Sequence, residues 1–508
     1  MMKRFLSLRF FATLVMGLGL LCLLGVVLEN WTGARALAKA KEAFIEEGGT
    51  LDSEQLRPKP GPTGSNFLAI EQLAGISTQQ SDDNSALLQK LRSIDWGLAA
   101  SGKNPKTPWP NLNGGCVLGE PFDAQSAAAY LSEISFIDTP PNADAAQVLA
   151  AIDRMHPLLK ELSDAAVERP EACFDPAVGH EHVGAPYKRP GPYMSGALQA
   201  AKGLALRAQF AVAAGDAESA VRSMQASQRF TQALGKEPLL IGLLCAITTA
   251  TFDSNSIWLL LHSHTNSALQ LSRLQADLER LDFKRSLRQA IHSELVWQLE
   301  SIEWYKRNRD DCVSVCSQIQ IMSDQTEPPW YASAVIRMIP AGWFDHNAAN
   351  VLRIGSDYLR KPVKDGDGRS LLRSSEEMEI LLEEHRGMTS PHHVLTVLGF
   401  PAYQMIIGQA IYAETLRRQS IAAIALERYR LSHSKLPSTL AELVPEFLSA
   451  VPQDPIDAEP MRYRVEGGSF TLWSIARDCK DDGGKRPEGK DAKRIGRADY
   501  LGDWVWKN

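Results

Sequence analysis

The chain contains one uncharged apolar run long enough to cross a bilayer, from Phe10 to Leu28 (FFATLVMGLGLLCLLGVVL). A helix rises about 1.5 Å per residue, so a run of this length spans a hydrocarbon layer of roughly 30 Å. Lys3, Arg4 and Arg9 precede the run with no acidic residue among them. Because cationic flanks stay on the cytoplasmic side, we predict that residues 1–9 are cytoplasmic, residues 10–28 span a bacterial inner membrane and the bulk of the chain is periplasmic.

A cleaved signal peptide is the alternative interpretation of this run. The apolar region of a signal peptide is usually about 7 to 15 residues long and ends in a small-residue cleavage site. Here the run is longer, and the A-x-A pattern from Ala34 to Ala36 lies well past its apolar end. We therefore predict an uncleaved anchor, with Trp31 at the membrane interface.

The rest of the chain has the composition of a globular protein. A length of 508 residues predicts two or three domains, and 44% hydrophobic with 22% charged residues is ordinary for such domains. A net charge of −6 leaves no broad basic face, so we expect no nucleic-acid partner.

A second apolar segment, Leu239–Phe252, is shorter and stops at Asp253. Its length is typical of a buried core helix, so we predict a single span.

Three further regions are predicted behind the anchor. Residues 29–66 form a charged helix and a proline-rich spacer, and the spacer, from Arg57 to Asn66, stands off the membrane as an extended segment. Residues 67–400 form a multi-helix domain, because alanine, leucine, glutamate and arginine dominate its long periodic stretches. Residues 401–508 form a small α+β module. The predicted fold class is therefore mainly α.

Gly215 and Asp216 predict a helical hairpin inside the helical domain. Glycine ends one helix as its C-cap and aspartate begins the next as its N-cap. Small residues on the facing sides allow close helix contact: Ala201, Ala205, Ala208 and Ala220. Such a pair is similar to a tetratricopeptide unit, but no fixed repeat period is visible, so we do not expect a long solenoid.

Local signatures of catalysis are absent from the sequence. It has no G-x-S-x-G elbow, no G-x-x-x-x-G-K-[ST] loop and no H-E-x-x-H pair. His180 and His182 could reach one metal ion, yet a catalytic zinc needs a third ligand, and none is identifiable from spacing. We interpret this segment as a solvated loop, with metal binding as the alternative. The histidine pairs His262–His264 and His392–His393 are interpreted in the same way.

Cys312 and Cys316 lie one turn apart on a predicted helix. Two buried thiols are the favoured interpretation, and a strained disulfide in an oxidising compartment is the alternative.

The segment Asp365–Glu376 resembles an EF-hand loop, with acids at positions 1 and 3 and a glutamate at position 12. Because Ser370 occupies the position that needs glycine, we predict a surface turn there.

The last hundred residues carry the most specific pattern. Two strand-like pieces, MRYRV and SFTLWSI, are joined by Glu466, Gly467 and Gly468, which is a hairpin signal. A long helix precedes them, so we predict that residues 415–508 fold as a helix packed on a small antiparallel sheet. The expected core residues are Tyr429, Leu440, Leu443, Phe447, Tyr463, Phe470 and Trp473.

The order of these pieces resembles the soluble domain of the type II secretion major pseudopilin, pseudopilin G. The resemblance covers about a fifth of the chain. The whole chain also resembles a set of uncharacterised bacterial membrane-anchored proteins with this C-terminal module, and that likeness implies no activity. The residues that match the pseudopilin pattern are Leu436, Pro437, Ser438, Thr439, Leu440, Asp454, Pro455, Pro460, Tyr463, Phe470, Ser474, Asp478, Ala498 and Asp499.

The resemblance implies a calcium site in the acidic loop after the second strand. By position, Asp478 and Asp499 match the family's acids, and Asp481 and Asp482 fall where the family's loop is also acidic. Several oxygen ligands in a turn suit a hard cation. The alternative is an acidic turn held by hydrogen bonds from nearby backbone N–H groups to aspartate.

Two functions remain open from the sequence. The first is a non-catalytic binding or assembly protein of the envelope, linked to a secretion or pilus-like system and held by the bilayer through residues 10–28. The second is a periplasmic hydrolase whose site is scattered in sequence, around His180, His182 and Glu294. The two differ in geometry, because an enzyme needs a concave pocket where catalytic side chains converge.

Overall fold

The computed structural model describes residues 2–59, 62, 64–73, 86–94, 106, 119, 121–174, 192–309, 332–385, 391–400, 403–485 and 502–507. This part of the chain is mainly helical, with one small β-sheet and an apolar N-terminal helix. The predicted fold class is confirmed at this level. His180, His182, Cys312, Cys316 and Asp499 lie outside the described residues.

The helices are α1 (Met2–Glu46), α2 (Ala86–Ser93), α3 (Ala124–Glu133), α4 (Ala145–Met155), α5 (Pro157–Glu168), α6 (Pro192–Ala213), α7 (Ala217–Lys236), α8 (Leu240–Ser263), α9 (Ala268–Glu279), α10 (Phe283–Arg307), α11 (Ala332–Met338), α12 (Ala341–Gly355), α13 (Lys361–Asp365), α14 (Gly368–Glu384), α15 (Val394–Gly399) and α16 (Tyr403–His433). A π-helical turn, Ser356–Arg360, joins α12 to α13. Short 3₁₀ turns lie at Ser53–Leu56, Phe67–Ala69, Glu71–Leu73 and Leu440–Leu443.

The N-terminal helix α1, which contains the predicted anchor, is 45 residues long and continues past the apolar run. Its apolar side chains from Thr13 to Leu28 are exposed, but Gly33, Leu37, Ala40 and Phe44 are buried. These four positions recur every three or four residues, so they form one stripe, and this stripe packs along α12. The second half of α1 is therefore part of the body and does not act as a free stalk.

Among the described residues, three helical segments are long and apolar enough to cross a membrane by length and composition. They lie within α1, in α8 and in the stretch from Val394 to His433. The apolar window of α8 is 72% buried inside the protein, whereas none of the α1 window is buried. Because a spanning helix needs a lipid-facing surface, this burial supports the prediction that α8 is a core helix and α1 the anchor.

The predicted helical hairpin is formed by α6 and α7. Gly215 has a positive φ of 77°, and the Asp216 side chain accepts a hydrogen bond of 3.0 Å from the Ser219 N–H. α7 then packs against α8. Buried polar pairs fix its position, with Arg229 contacting Asp277 at 2.8 Å while both side chains are 3% exposed.

The C-terminal sheet is antiparallel in the order β1 (Arg462–Glu466), β2 (Ser469–Ser474), β3 (Trp504–Lys507). Gly467 and Gly468 make the two-residue turn between β1 and β2, both with positive φ. α16 packs on this sheet, and its Gln419 side chain donates a 2.7 Å hydrogen bond to the Trp504 carbonyl. The helix-on-sheet arrangement predicted for this segment is present. Its expected core residues are buried, except for Tyr463, which is half-buried.

The sheet is not detached from the helical body. The Trp258 indole N–H of α8 donates a 2.8 Å hydrogen bond to the carbonyl of Lys507. The backbone N–H of Gly368, at the start of α14, donates to the carbonyl of Pro455 at 3.0 Å. One continuous core therefore joins the two regions.

The described ends of the proline-rich spacer also contact the body. Pro58 is buried, and the Asn66 side-chain amide donates a 2.9 Å hydrogen bond to the Cys173 carbonyl. The N–H of Phe67 donates to the Glu171 carbonyl at 2.7 Å. The expectation that this segment stands off as an extended spacer is wrong for these residues, because backbone hydrogen bonds and buried side chains hold them to the body.

Candidate functional site

A cavity of about 500 Å³ lies where the chain after α1 crosses α7 and the start of α10. Its walls are the segment Gln55–Lys59, the end of α7 and the residues around the first turn of α10. Five cationic side chains and one acidic side chain line it, and we name it the cationic cleft: Arg57, Lys59, Lys236, Arg280, Arg285 and Asp282.

Three of these cations already have acidic partners outside the cleft lining. These ion pairs are Arg57 with Glu54, Lys236 with Glu171 and Arg280 with Asp277. Asp282 is the N-cap of α10, and its carboxylate accepts the Arg285 N–H at 2.8 Å. Within the part of the chain that the structure describes, the Lys59 ammonium and the Arg285 guanidinium have no acidic partner. Two positive charges therefore remain available in the cleft.

The predicted calcium loop is held by local hydrogen bonds. The Asp481 carboxylate accepts 2.9 Å hydrogen bonds from the Trp473 indole and from the Gly483 N–H. The Asp478 carboxylate accepts the Lys480 N–H at 3.1 Å. Among the described residues, Asp478, Asp481 and Asp482 do not form a close ligand cluster. The calcium site stays a prediction, because Asp499 lies outside the described residues.

Asp454 is the structural centre of this module. It is fully buried, and its carboxylate accepts hydrogen bonds from the Ile456 N–H at 3.0 Å, the Ser474 hydroxyl at 2.7 Å and the Ile475 N–H at 3.1 Å. Arg462 also contacts it at 2.7 Å. This aspartate matches the Asp-Pro of the sequence pattern, and its structural role is to join the loop before β1 to the end of β2.

Asp503 is an acid of this region that sequence reasoning missed. It is 2% exposed, one carboxylate oxygen accepts the Gly484 N–H at 2.8 Å, and the other has no hydrogen-bond partner among the described atoms. Burial, with nearby Asp481 and Asp482, raises its pKa to about 6. Its position directly before β3 was the only sequence signal.

Calcium bound in this loop should lower the free-energy cost of keeping the Asp503 carboxylate charged and buried. Because its pKa is 3.8 in the unfolded chain and about 6 in the fold, this group's contribution to stability falls as the pH rises through that window. We expect millimolar calcium at pH 7 to raise the unfolding temperature of the parent chain by a few degrees and to have no effect on Asp503→Asn. Exposed Asp365→Asn is the control and should respond like the parent. Absence of a shift in the parent would end the calcium prediction.

A third cluster lies where α1 leaves the apolar run. Glu29, His346 and His392 offer ligand atoms that all lie within 4.8 Å of one another, and all three residues are half-buried. His392 Nε2 is 2.7 Å from Glu29 Oε1, and His346 Nε2 is 3.7 Å from the same oxygen. The two imidazole centroids are 4.3 Å apart. We name this set the junction cluster. His392 was interpreted as part of a solvated loop, whereas in the structure it is half-buried beside Glu29 and His346.

Asparagine side chains of α12 hold the turn that carries His392. The Asn350 side chain donates a 2.9 Å hydrogen bond to the His392 carbonyl, and the Asn347 side chain donates one of 2.8 Å to the Pro391 carbonyl. The Asn347 side-chain oxygen also accepts the N–H groups of Leu395 and Thr396. The turn is therefore fixed on the helix that carries His346.

Close backbone contact brings Glu29 to the same place. A Cβ on Gly33 would lie 2.5 Å from the Gly342 carbonyl oxygen, and one on Gly342 would overlap the carbonyl of Glu29. The Asn30 side chain accepts the Gly342 N–H at 2.8 Å. Only glycine at both positions lets α1 and α12 approach this closely.

Three other residues singled out in the sequence have defined places. Burial raises the pKa of Glu294 on α10 to about 7, and its carboxylate accepts the Leu240 N–H at the start of α8. The His262 Nδ1–H donates a 3.1 Å hydrogen bond to the Trp258 carbonyl one turn before it. His264, on the other hand, is the left-handed C-cap of α8 and lies 3.7 Å from Glu427. These residues do not converge on one point.

The comparisons with known proteins add no family. No protein-family model matches the chain, and no curated protein or solved structure matches it. The function must therefore be argued from the geometry of the chain itself.

Proposed function

We propose that the chain is a single-pass protein of a bacterial inner membrane, with a cytoplasmic N-terminus and a periplasmic body, and that it binds envelope protein partners without catalysis. In this proposal, the C-terminal α+β unit is a pseudopilin-G-like module, which links the protein to a secretion or pilus-like assembly. The observation that carries the binding function is the cationic cleft.

The cleft has the chemistry of a site for an acidic protein segment. Its volume of about 500 Å³ accommodates a few side chains. Leu56, Pro58, Leu281 and Phe283 contribute apolar surface to its lining, while Lys59 and Arg285 carry the available charges. Negative charge on a partner segment would orient that segment in the cleft and increase its rate of association with the protein.

The fold supports a role in holding partners near the membrane. Because α1 continues for 18 residues from Leu28 to Glu46, its end lies roughly 27 Å along the helix from the apolar run. The cleft segment follows soon afterwards in the chain. α7, which forms another wall, belongs to the tetratricopeptide-like hairpin, an element common in interaction scaffolds. The anchor thus fixes the distance of the cleft from the bilayer.

The hydrolase alternative is not favoured by the described residues. Glu294, its proposed acid or base, binds the Leu240 N–H at the start of α8. His180 and His182 lie outside the described residues. The cationic cleft contains no histidine, and Asp282, its one carboxylate, caps α10. Binding is therefore the function that this geometry supports.

Charge reversal in the cleft tests the proposal. Each reversal turns an attraction of about 1 kcal/mol into a repulsion of similar size, so Lys59→Glu with Arg285→Glu should reduce partner recovery at least tenfold. The measurement is quantitative mass spectrometry of proteins that co-purify with the full chain from solubilised membranes, at low and high salt. The recovered partners should include secretion or pilus components.

The matched control is Lys160→Glu, which makes the same change at an exposed position on α5. It should recover the same partners as the parent chain. Equal losses in the control and the cleft variant would show a nonspecific charge effect. Unchanged recovery in the cleft variant would exclude the cleft as the binding site.

A further inference from the structure

We propose that the junction cluster of Glu29, His346 and His392 is a binding site for a divalent transition-metal ion, with Zn²⁺ as the best fit. The site goes beyond the proposed partner binding, because it lies between the anchor and the body and shares no residue with the cationic cleft.

The donor set has the right chemistry. Two imidazole nitrogens and one carboxylate oxygen form a ligand set that proteins use for zinc and for other first-row ions. Thiolates, which would favour softer ions, are not part of the cluster, and calcium would need more oxygen ligands. Two histidines with one carboxylate leave a fourth position of a tetrahedral site open to another ligand. The Thr32 hydroxyl lies 3.4 Å from His346 Nε2.

The distances are close to those of a bound ion. Ligands at about 2.0 to 2.1 Å in a tetrahedral site are roughly 3.3 Å from one another. The separations from Glu29 Oε1 are 2.7 Å to His392 Nε2 and 3.7 Å to His346 Nε2, so they bracket this value. All three ligand atoms lie within 4.8 Å of one another, so only small shifts are needed to place them around one ion.

The surrounding residues hold the ligands in place. Asn347 and Asn350 fix the turn that carries His392 on the helix that carries His346. The glycine contact of Gly33 and Gly342 brings Glu29 within reach. Hydrogen bonds that orient metal ligands from outside are typical of built metal sites. The ligands therefore come from three separate segments that are already positioned.

The place of the site gives the ion a structural role. Glu29 directly follows the apolar run, whereas His346 and His392 belong to the body. A bound ion would join the anchor to the body at the bilayer boundary. Because an ion that binds only the folded state stabilises that state, it should protect this junction from opening.

The test is a metal titration of the untagged full chain in detergent, after it has been stripped with a chelator. Co²⁺ should give saturable visible absorption bands of a low-coordinate site with one ion per chain, and Zn²⁺ should displace it. Single variants Glu29→Gln, His346→Gln and His392→Gln should each bind Zn²⁺ at least about 100-fold more weakly. Hydrogen exchange of residues 29–33 should slow when Zn²⁺ is added to the parent.

Two controls and one indirect variant complete the design. Glu46→Gln on the same helix and His264→Gln outside the cluster should bind like the parent. Asn350→Ala keeps all three ligands but frees the turn, so it should weaken binding roughly tenfold. This variant decides the question if the ligand variants fail to fold. Absence of saturable Co²⁺ binding in the parent, or unchanged affinity in Asn350→Ala or the ligand variants, would overturn the site and leave the Glu29–His392 contact as an ordinary hydrogen bond.

Discussion

Gly342→Ala should detach the second half of the anchor helix from the body. The added Cβ would overlap the carbonyl of Glu29, and the facing Gly33 leaves no space on the other side. The two backbones must separate, which costs about 1 to 3 kcal/mol for overpacking and also weakens the hydrogen bond from the Gly342 N–H to Asn30. Amide exchange from Gly33 to Phe44 should become roughly tenfold to hundredfold faster.

Hydrogen exchange measured by mass spectrometry on the detergent-solubilised chain checks this result. Gly408→Ala is the matched control, because its Cβ would meet its nearest neighbour at 3.6 Å, an ordinary contact. Alanine also favours a helix interior over glycine, so the control should be neutral or slightly stabilising. If Gly342→Ala left exchange in α1 unchanged, the glycine contact would not hold the junction. The same variant should weaken metal binding, since it moves Glu29 away from His346.

Asp454→Ala should unfold the C-terminal sheet while most of the helical body stays folded. The substitution leaves the Ile456 and Ile475 N–H groups and the Ser474 hydroxyl without their shared acceptor. Each buried unsatisfied donor costs about 1 to 3 kcal/mol. Arg462 loses its ion pair with Asp454 but keeps the one with Asp457. Amide exchange in β1, β2 and β3 should accelerate at least about 100-fold.

The readout is local hydrogen exchange, because one free energy of unfolding is not defined for a chain with several cooperative regions. Asp478→Ala is the control in the same module, since among the described residues the Asp478 carboxylate accepts a hydrogen bond only from the Lys480 N–H of its own turn. It should leave the sheet protected. Asp454→Asn, which keeps one acceptor oxygen, should give an intermediate result. Equal protection in Asp454→Ala and the parent would show that another contact holds the sheet.

The C-terminal region shows how much local pattern can predict. The glycine pair Gly467–Gly468 and the alternating strands on either side were sufficient for the hairpin, because turn geometry and side-chain alternation are local properties. The large residues predicted for its core are buried, except for the half-buried Tyr463. Asp503 was missed, since an isolated aspartate before a strand has no pattern, and its burial depends on how the last strand returns to the sheet.

Features that depend on neighbouring residues could be predicted before the structure was known. The charge-free run from Phe10 to Leu28 predicted a helix long enough to span a membrane, and Gly215 with Asp216 predicted the hairpin of α6 and α7. In each case the physical cause, apolar length or capping geometry, lies within one short segment.

Contacts between distant side chains, in contrast, depend on the packing of the whole chain. Glu29 and His392 are 363 residues apart, and no spacing rule relates them to His346. They meet because two glycines allow α1 and α12 to touch and because asparagines of α12 hold the turn after α14. The cationic cleft likewise joins the segment Gln55–Lys59 to α7 and α10. Such contacts follow from packing of the whole chain, since local sequence fixes the face of a helix but not its partner.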